Sequence, residues 1–331
     1  MNQKNEGDTQ VSTPDVSIVI VNRNTRELLR ECLTSVRADL TVPDREVIVI
    51  DNGSTDGSVE LLRDVFPEVR TILNTDNEGF AKPNNDGMRI AKGRFLFLLN
   101  SDARIEPGTL GVLTGFLMAH PGAGACGPRL IYPDGRLQRS VSLPHSFRTH
   151  VFDMLFLDAL FPWSRFFAGG EMTRYRYDPD REQEVACLMG AAFLIRREMM
   201  ESVGMFDEQL SIYYNEMDWF MRMADNGWTI HYVPSTTVVH HRGATAARVN
   251  SGFSKFNEMY ANVFHFFAKH YGPWAPHLYR LLLIVGFVPR LCLWTVRSWL
   301  SPSDMSRHMR TYSWKVLRLG LFWWRGMSTG V

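Results

Sequence analysis

Val16-Ser17-Ile18-Val19-Ile20-Val21 running into Asn22-Arg23-Asn24, and Val47-Ile48-Val49-Ile50 running into Asp51-Asn52-Gly53-Ser54-Thr55-Asp56-Gly57, decide the fold. Both apolar runs are almost continuously β-branched, as strands covered on both faces must be. Working outward, helix-like stretches at Arg26–Arg37, Gly57–Val65 and Ala81–Ala91 alternate with further strand-like runs at Val69–Leu73 and Arg94–Leu99. That rhythm predicts an α/β fold on a mostly parallel sheet wrapped by helices.

In such a sheet the carboxyl ends of the strands line the ligand crevice. Four loops leave predicted strands with polar side chains: Asn22–Asn24, Asp51–Gly57, Asn74–Asn85 and Asn100-Ser101-Asp102. Their groups are therefore expected to converge. Asp51 can accept a hydrogen bond from the imide N–H of a pyrimidine base; the competing reading is a plain turn in which Asp56 caps the next helix. Asp102, just after Phe95–Leu99, suits a magnesium or manganese ion bridging a diphosphate, since hard divalent cations prefer oxygen and need few protein ligands when phosphates supply the rest. Alone, Asn-Ser-Asp reads equally as a solvated turn; its order after the other three loops favours the metal. Gly122-Ala-Gly124-Ala-Cys-Gly127 satisfies GxGxxG but follows a predicted helix and runs into Pro128, which disfavours a dinucleotide-dependent oxidoreductase.

Composition narrows the class. With 45% of 331 residues hydrophobic and 21% charged, the chain can bury a large core, and one large domain with an appendage is expected. A formal net charge of +1 offers no global reason for nucleic acid as a partner. Cys32, Cys126, Cys187 and Cys292 lie far apart with no CxxC pair, which points to a reducing compartment rather than zinc or disulfides. Residues 1–14 are polar, without the apolar core of a secretory signal, and read as a flexible leader. Residues 141–184, with Pro144, Pro162, Gly169, Gly170 and Pro179 among many aromatics, suggest an excursion from the sheet. Regular patterning resumes at Leu188–Ile195, with a helix at Glu216–Asn226 and strands at Thr229–Val233 and Thr237–His240.

Eight segments now stand in order: Val16–Asn22; Ile50-Asp51-Asn-Gly-Ser-Thr-Asp-Gly-Ser58; Asn77-Glu-Gly-Phe-Ala81 with Asn84-Asn85-Asp-Gly87; Leu98-Leu-Asn-Ser-Asp102; Met189-Gly-Ala-Ala-Phe-Leu-Ile-Arg-Arg197; Gly204-Met-Phe-Asp-Glu208; Asn215-Glu-Met-Asp218; and Val238-Val-His-His-Arg-Gly243. From about Val16 to Ala244 the chain resembles the family 2 glycosyltransferases with a GT-A fold, a Rossmann-like mostly parallel sheet, particularly the rhamnosyltransferase-like branch that elongates lipid-linked polysaccharides. The resemblance implies a nucleotide-diphospho-sugar donor, bound by Asn22, Asp51, Asn77, Asn85 and Asp102. It implies that Asp51 contacts the base, that Asp102 holds the metal (Mg2+ or Mn2+), and that His240, as a neutral imidazole, supplies a second metal contact. His241 is disfavoured because neighbours on a strand point to opposite faces.

Two departures from the family pattern matter. Lys82-Pro83 stands where many relatives have two glycines, which places Lys82 to meet a phosphate. Asn215-Glu216 stands where relatives often carry Glu-Asp, which keeps a carboxylate but lengthens its reach. Displacement at an anomeric carbon needs a base for the acceptor hydroxyl, and Glu216 is assigned that role. A single in-line attack inverts the anomeric centre. Asp218 is a second catalytic candidate, with capping of its helix or a pair with Arg222 as the alternatives; Trp219 reads as core packing ahead of sugar stacking.

The domain reading is a catalytic domain at 15–245, with a donor half 15–132 and an acceptor half 133–245, then a helical basic extension at 246–331. Arg280, Arg290 and Arg297 interrupt the apolar Leu278–Leu300, leaving a charge-free run shorter than the roughly 20 residues of a spanning helix. On a helical wheel those arginines share one half, as do Arg307, Arg310, Lys315, Arg318 and Arg325 in the next segment. Two cationic amphipathic helices are expected, lying on the cytoplasmic face of the cell membrane with Trp294, Trp299, Trp323 and Trp324 at the interface; packing against the catalytic domain or a second subunit is the alternative. A polyprenyl-diphosphate-linked saccharide acceptor fits that placement, and dTDP-rhamnose is the donor the resemblance suggests. The rival readings are a nucleotidyltransferase and a non-catalytic membrane-bound nucleotide-sugar binding protein.

Overall fold

The structure is a computed structural model that describes residues 14–144, 146–155, 157–161, 164, 177–210, 214–241 and 254–322. The chain forms two compact units, Met1–Val141 with Asp178–Ser251, and Ser142–Tyr177 with Gly252–Val331. The expected division was contiguous at 245. The described residues between Ser142 and Tyr177 fall in the same unit as the C-terminal helices.

In chain order the first part of unit 1 contains β1 (Val16–Asn22), α1 (Arg26–Ala38), β2 (Arg45–Asn52), α2 (Ser58–Val65), β3 (Arg70–Asn74), α3 (Ala81–Ile90), β4 (Phe95–Asn100), β5 (Ala103–Ile105), α4 (Thr109–Ala119), β6 (Ala123–Ile131) and β7 (Leu137–Gln138). The short β8 (Val141–Ser142) leads into α5 (Phe147–Met154) and α6 (Leu157–Leu160). Then come β9 (Gln183–Glu184), β10 (Cys187–Leu188), β11 (Ala192–Arg196), α7 (Arg197–Val203), α8 (Asn215–Asp225) and β12 (Thr229–His240).

β1 pairs in parallel with both β2 and β4, and β2 with β3. Asn22, Asp51, Asn74 and Asn100 therefore end on one rim. β11 lies antiparallel between β4 and β6, which returns β6 and its parallel neighbour β12 to the direction of β1–β4. The far end of β12 thus reaches the same rim, with His240 opposite Ala103 of β5. Val16, Ile18 and Ile20 share one buried cluster with Leu29, Leu33 and Val36, whose spacing makes a single stripe on α1. Each such side chain contributes about 1.5–3 kcal/mol on burial, so the register that sets the rim is firmly held.

Three details differ from the sequence expectations. The two strands at 229–240 are one strand with a register shift between Val233 and Thr237, where Pro234 cannot donate to the ladder. Leu188–Ile195 is split by a turn into β10 and β11. The GxGxxG stretch runs from the turn at Gly122 into β6, and a side chain on Gly124 would come 2.8 Å from Met199 Cγ, so that glycine serves strand packing.

Unit 2 closes with α9 (Ser254–Tyr271), α10 (Ala275–Leu300) and α11 (Asp304–Phe322). Aromatic contacts knit it together: Phe147 and Tyr279 lie 4.6 and 4.9 Å from Phe267, centroid to centroid. Two of the three arginines of α10 are not turned outward as the cationic-face reading had it, while Arg297 is exposed. Arg280 Nε donates to Gly320 O (2.9 Å), and Arg290 Nη1 to Met154 O (2.7 Å) and Gly286 O (2.9 Å). Met154 and Gly320 stand in the last turns of their helices, where carbonyls lacking helical partners attract the guanidiniums inward. Elsewhere on α10, Leu278, Leu281, Val285, Val288, Val296 and Trp299 are exposed. α10 is one helix of 26 residues, about 39 Å at 1.5 Å per residue, long and apolar enough by length and composition to cross a bilayer.

Candidate active site

The donor side is built where β1, β2 and β4 end. Asn22 is fully buried; its Nδ2 donates to Asp51 Oδ2 (2.8 Å) and Ser54 Oγ (3.2 Å), and its Oδ1 accepts from Thr25 Oγ1 (2.7 Å). Thr25 Oγ1 lies 2.9 Å from Ser101 Oγ, beside Asp102. Asp51 Oδ1 also accepts from Ser54 N (2.8 Å). A carboxylate offers about four lone-pair sites, so Asp51 keeps capacity for a further donor. Asp56 accepts from Ser58 N (3.1 Å) and from Arg26 N (2.9 Å), bracing the starts of two helices, so capping belongs to Asp56 and leaves Asp51 to the rim.

The third loop is held from beneath. Asn52 Nδ2 donates to Asn77 Oδ1 and Gly79 O, both at 2.9 Å, while Asn52 Oδ1 accepts from Glu78 N (3.1 Å). Asn77 is exposed and its carbonyl also accepts from Gly79 N (3.2 Å), so it shapes its own loop. Lys82 is held between Glu78 and Asp86, which already supply the charge a phosphate would bring. Asn85 turns to the 206–208 segment: Nδ2 donates to Phe206 O (3.0 Å) and Glu208 Oε1 (2.9 Å), and Oδ1 accepts from Phe206 N (3.1 Å).

Asp102 and His240 meet. His240 Nε2 stands 3.3 Å from Asp102 Oδ1, both side chains 5% exposed, and His241 N donates to Asp102 O (3.0 Å). The other imidazole nitrogen, Nδ1, lies 2.8 Å from Gln138 Oε1. A carboxylate oxygen and an imidazole nitrogen facing each other form a donor set suited to a divalent ion whose remaining ligands come from phosphate. The His241 ring faces away, with Nε2 4.0 Å from Glu31 Oε2, as strand alternation requires. The Gly243 loop expected beside His240 lies outside the described residues, as do Trp323, Trp324 and Arg325.

The 189–191 turn adjoins the end of β4. Asn100 N donates to Ala191 O (2.9 Å), tying the turn to the end of β4, and Met189 N donates to Ser140 O (2.8 Å). A side chain on Gly190 would come 2.0 Å from Glu216 Oε1, so only glycine lets that carboxyl lie against the turn. Burial pushes the Glu216 carboxyl above the usual carboxylate range, opposed in part by a hydrogen bond from its own backbone N–H. Asn215, next to it, is 1% exposed, and neither of its amide atoms has a hydrogen-bond partner among the described residues. Asp218 is fully buried and pairs with Arg222 Nε at 2.9 Å, the partner one turn on that sequence spacing offered. Trp219 is fully buried and donates to Gly204 O (2.7 Å), which places it in the core.

Sequence reasoning missed Gln138, Gly190 and Asn52. A polar residue on a two-residue strand and a glycine before an apolar run carry no periodic signal. Asn52, inside the Asp51–Gly57 loop, and Gly190, inside Met189–Arg197, were open to suspicion.

Comparison with known proteins follows this geometry. Residues 17–204 match the family model described as Glycosyl transferase family 2. Among curated proteins the chain is similar to the N-acetylglucosaminyl-diphospho-decaprenol L-rhamnosyltransferase of Mycobacterium tuberculosis, with 29% identity over 218 residues, 61% of this chain and 68% of that protein. It is similar also to the O-antigen biosynthesis protein RfbC of Myxococcus xanthus, with 28% identity over 70% of this chain but 18% of that protein. Among solved structures, the mannosyltransferase PcManGT from Pyrobaculum calidifontis in complex with GDP-Man and Mn2+ has a TM-score of 0.52 at 18% identity, covering 94% of this chain and 87% of that one. Staphylococcus aureus TarS 1–349 in complex with UDP-GlcNAc has a TM-score of 0.52 at 14% identity, covering 92% and 81%.

Proposed function

Because the chain belongs to glycosyl transferase family 2 and has the GT-A fold, we propose that it is an inverting, metal-dependent transferase moving a sugar, L-rhamnose first among candidates, from a nucleotide diphosphate to a hydroxyl of a polyprenyl-diphosphate-linked saccharide. The observation that carries this reading is the Asp102–His240 pair at 3.3 Å on the rim shared with Asn22 and Asp51. The lipid-linked acceptor is taken from the relative in Mycobacterium tuberculosis, whose name specifies a decaprenol diphosphate.

Asp51, oriented by Asn22 and Ser54, accepts from the imide N–H of the donor base. Asp102 and His240 would hold the divalent ion. When bound, such an ion neutralises charge developing on the departing diphosphate. Glu216 takes the proton of the acceptor hydroxyl as its oxygen attacks the anomeric carbon; the bond from that carbon to the diphosphate oxygen breaks, and the configuration inverts. Asn215 carries an amide with both ends free to pair with sugar or acceptor hydroxyls. Asn85 keeps the 206–208 segment in place rather than touching the donor. The C-terminal unit holds the enzyme at the cytoplasmic face of the membrane through the exposed apolar side of α10.

The test is nucleoside diphosphate release by the full chain from dTDP-, UDP- and GDP-sugars, with and without Mn2+, on a polyprenyl-diphosphate saccharide. Release that requires Mn2+ and falls at least about 100-fold in Asp102→Asn is expected. Release of inorganic diphosphate would identify a nucleotidyltransferase, and donor binding without turnover a binding protein.

A further inference from the structure

We infer that Gln138 is a positioning residue that decides which nitrogen of His240 is free for the divalent ion; this rests on the metal reading above. The sheet explains why the two meet. Gln138 of β7 sits opposite Leu130 of β6, and Leu130 is opposite Val238 of β12. Two residues further along β12, on the same face, stands His240. Gln138 is fully buried, and its Oε1 lies 2.8 Å from His240 Nδ1.

An amide oxygen only accepts, so in this arrangement Nδ1 carries the imidazole proton. In a neutral ring Nε2 is then a bare lone pair. That lone pair faces Asp102 Oδ1 at 3.3 Å. Two acceptors at this distance repel each other until a cation stands between them, so the arrangement is prepared for one.

The other end of the amide supplies an independent observation. Gln138 Nε2 is buried and has no hydrogen-bond partner among the described residues. Rotating the amide by half a turn would donate Nε2–H to Nδ1, move the ring proton to His240 Nε2, and let that proton bond Asp102. The rotated form pairs the ring with the Asp102 carboxylate and removes the lone pair from the metal position, leaving the amide oxygen in the unpaired place. Gln138 thus separates a cation-ready tautomer from a self-bonded one, and the structure holds the cation-ready form with the amide Nε2 left unpaired. Second-shell groups of this kind typically change metal affinity by roughly 10–100-fold. Glutamate at this position can only accept and keeps the cation-ready tautomer. Leucine can do neither.

The experiment measures Mn2+ affinity of the full chain by electron paramagnetic resonance of free Mn2+, with saturating UDP and in parallel with dTDP, for wild type, Gln138→Leu and Gln138→Glu. Histidine-selective 15N spectra of the wild-type Mg2+ complex with the same nucleotides, assigned with His240→Gln, report the tautomer directly. Expected are about 10–100-fold weaker Mn2+ binding in Gln138→Leu, affinity at least at the wild-type level in Gln138→Glu, and the His240 proton on Nδ1. Wild-type-like Mn2+ binding by Gln138→Leu overturns the role of Gln138 while leaving the metal reading intact, whereas a proton on Nε2 in the Mg2+ complex takes His240 out of the metal site and overturns both. Should Gln138→Leu fail to fold, the same spectrum of metal-free wild type decides: the proton is expected on Nδ1 there too, and a proton on Nε2 overturns the role of Gln138. If wild type binds no Mn2+ with either nucleotide, the metal reading and this inference fall together.

Discussion

Glu216 joins chemistry and stability in one side chain. A base must be deprotonated to act, and burial raises its carboxyl above the ordinary range, so the acid limb of the kcat profile is expected at a higher pH than an exposed glutamate would give. Glu216→Gln removes that limb and lowers kcat by roughly 10²–10⁴-fold, with donor binding measured by calorimetry unchanged. The raised carboxyl also has a thermodynamic sign. The folded state holds this proton more tightly than the unfolded chain, so stability present below the unfolded pKa is lost as pH rises through the folded one. Glu216→Gln is therefore expected to raise the melting temperature at neutral pH, and the gain should vanish in acid. A variant equally stable at both pH values would argue against a raised carboxyl. Gly190 is the counterpart, since the added methyl of Gly190→Ala would come 2.0 Å from Glu216 Oε1. That variant is expected to lose kcat about as severely as Glu216→Gln while retaining Mn2+ and donor affinity; wild-type turnover would mean that the carboxyl does not act from this position.

Helix α8 distributes two carboxylates between two tasks. Arg222, held by Asp218, donates from Nη1 to Val203 O (2.9 Å) and from Nη2 to Met205 O (2.7 Å), so the pair pins α8 to the end of α7. Breaking a buried pair by removing one charge costs about 3–5 kcal/mol. Asp218→Asn is accordingly expected to lower the urea midpoint strongly, with kcat of the remaining folded enzyme within a few-fold of wild type. A stable but inactive variant would return Asp218 to the chemistry. Helix α3 is a similar case, because the sequence reading made Asn85 a donor contact. Asn85 faces the 206–208 segment, and both ends of its amide are used there. A motif recovers that a polar residue matters, while its partner lies more than 100 positions away and is invisible to spacing.

At the scale of the whole molecule, the exposed side of α10 is where membrane attachment is tested. Leu281, Val285 and Val288 stand on one face, turned away from the bonded Arg280 and Arg290. The full chain is expected to float with anionic vesicles, and Leu281→Glu/Val285→Glu/Val288→Glu to reduce the bound fraction roughly tenfold or more, since each apolar side chain buried in lipid is worth about 1.5–3 kcal/mol. Unchanged flotation would remove α10 from the contact. What the sequence alone determined is what repeats locally. Continuous β-branched runs made central strands, helical spacing made their covers, and polar strand ends made the rim at Asn22, Asp51 and Asp102. What only the tertiary structure decided depends on which strands lie side by side and in which direction. The antiparallel insertion of β11 between β4 and β6 brings His240 to Asp102 and sets Gln138 behind it, the turn before β11 makes room for Glu216, and the partners of Arg280 and Arg290 turn those charges inward. Such contacts join residues far apart in the chain, where periodicity carries no information and only packing selects the partner.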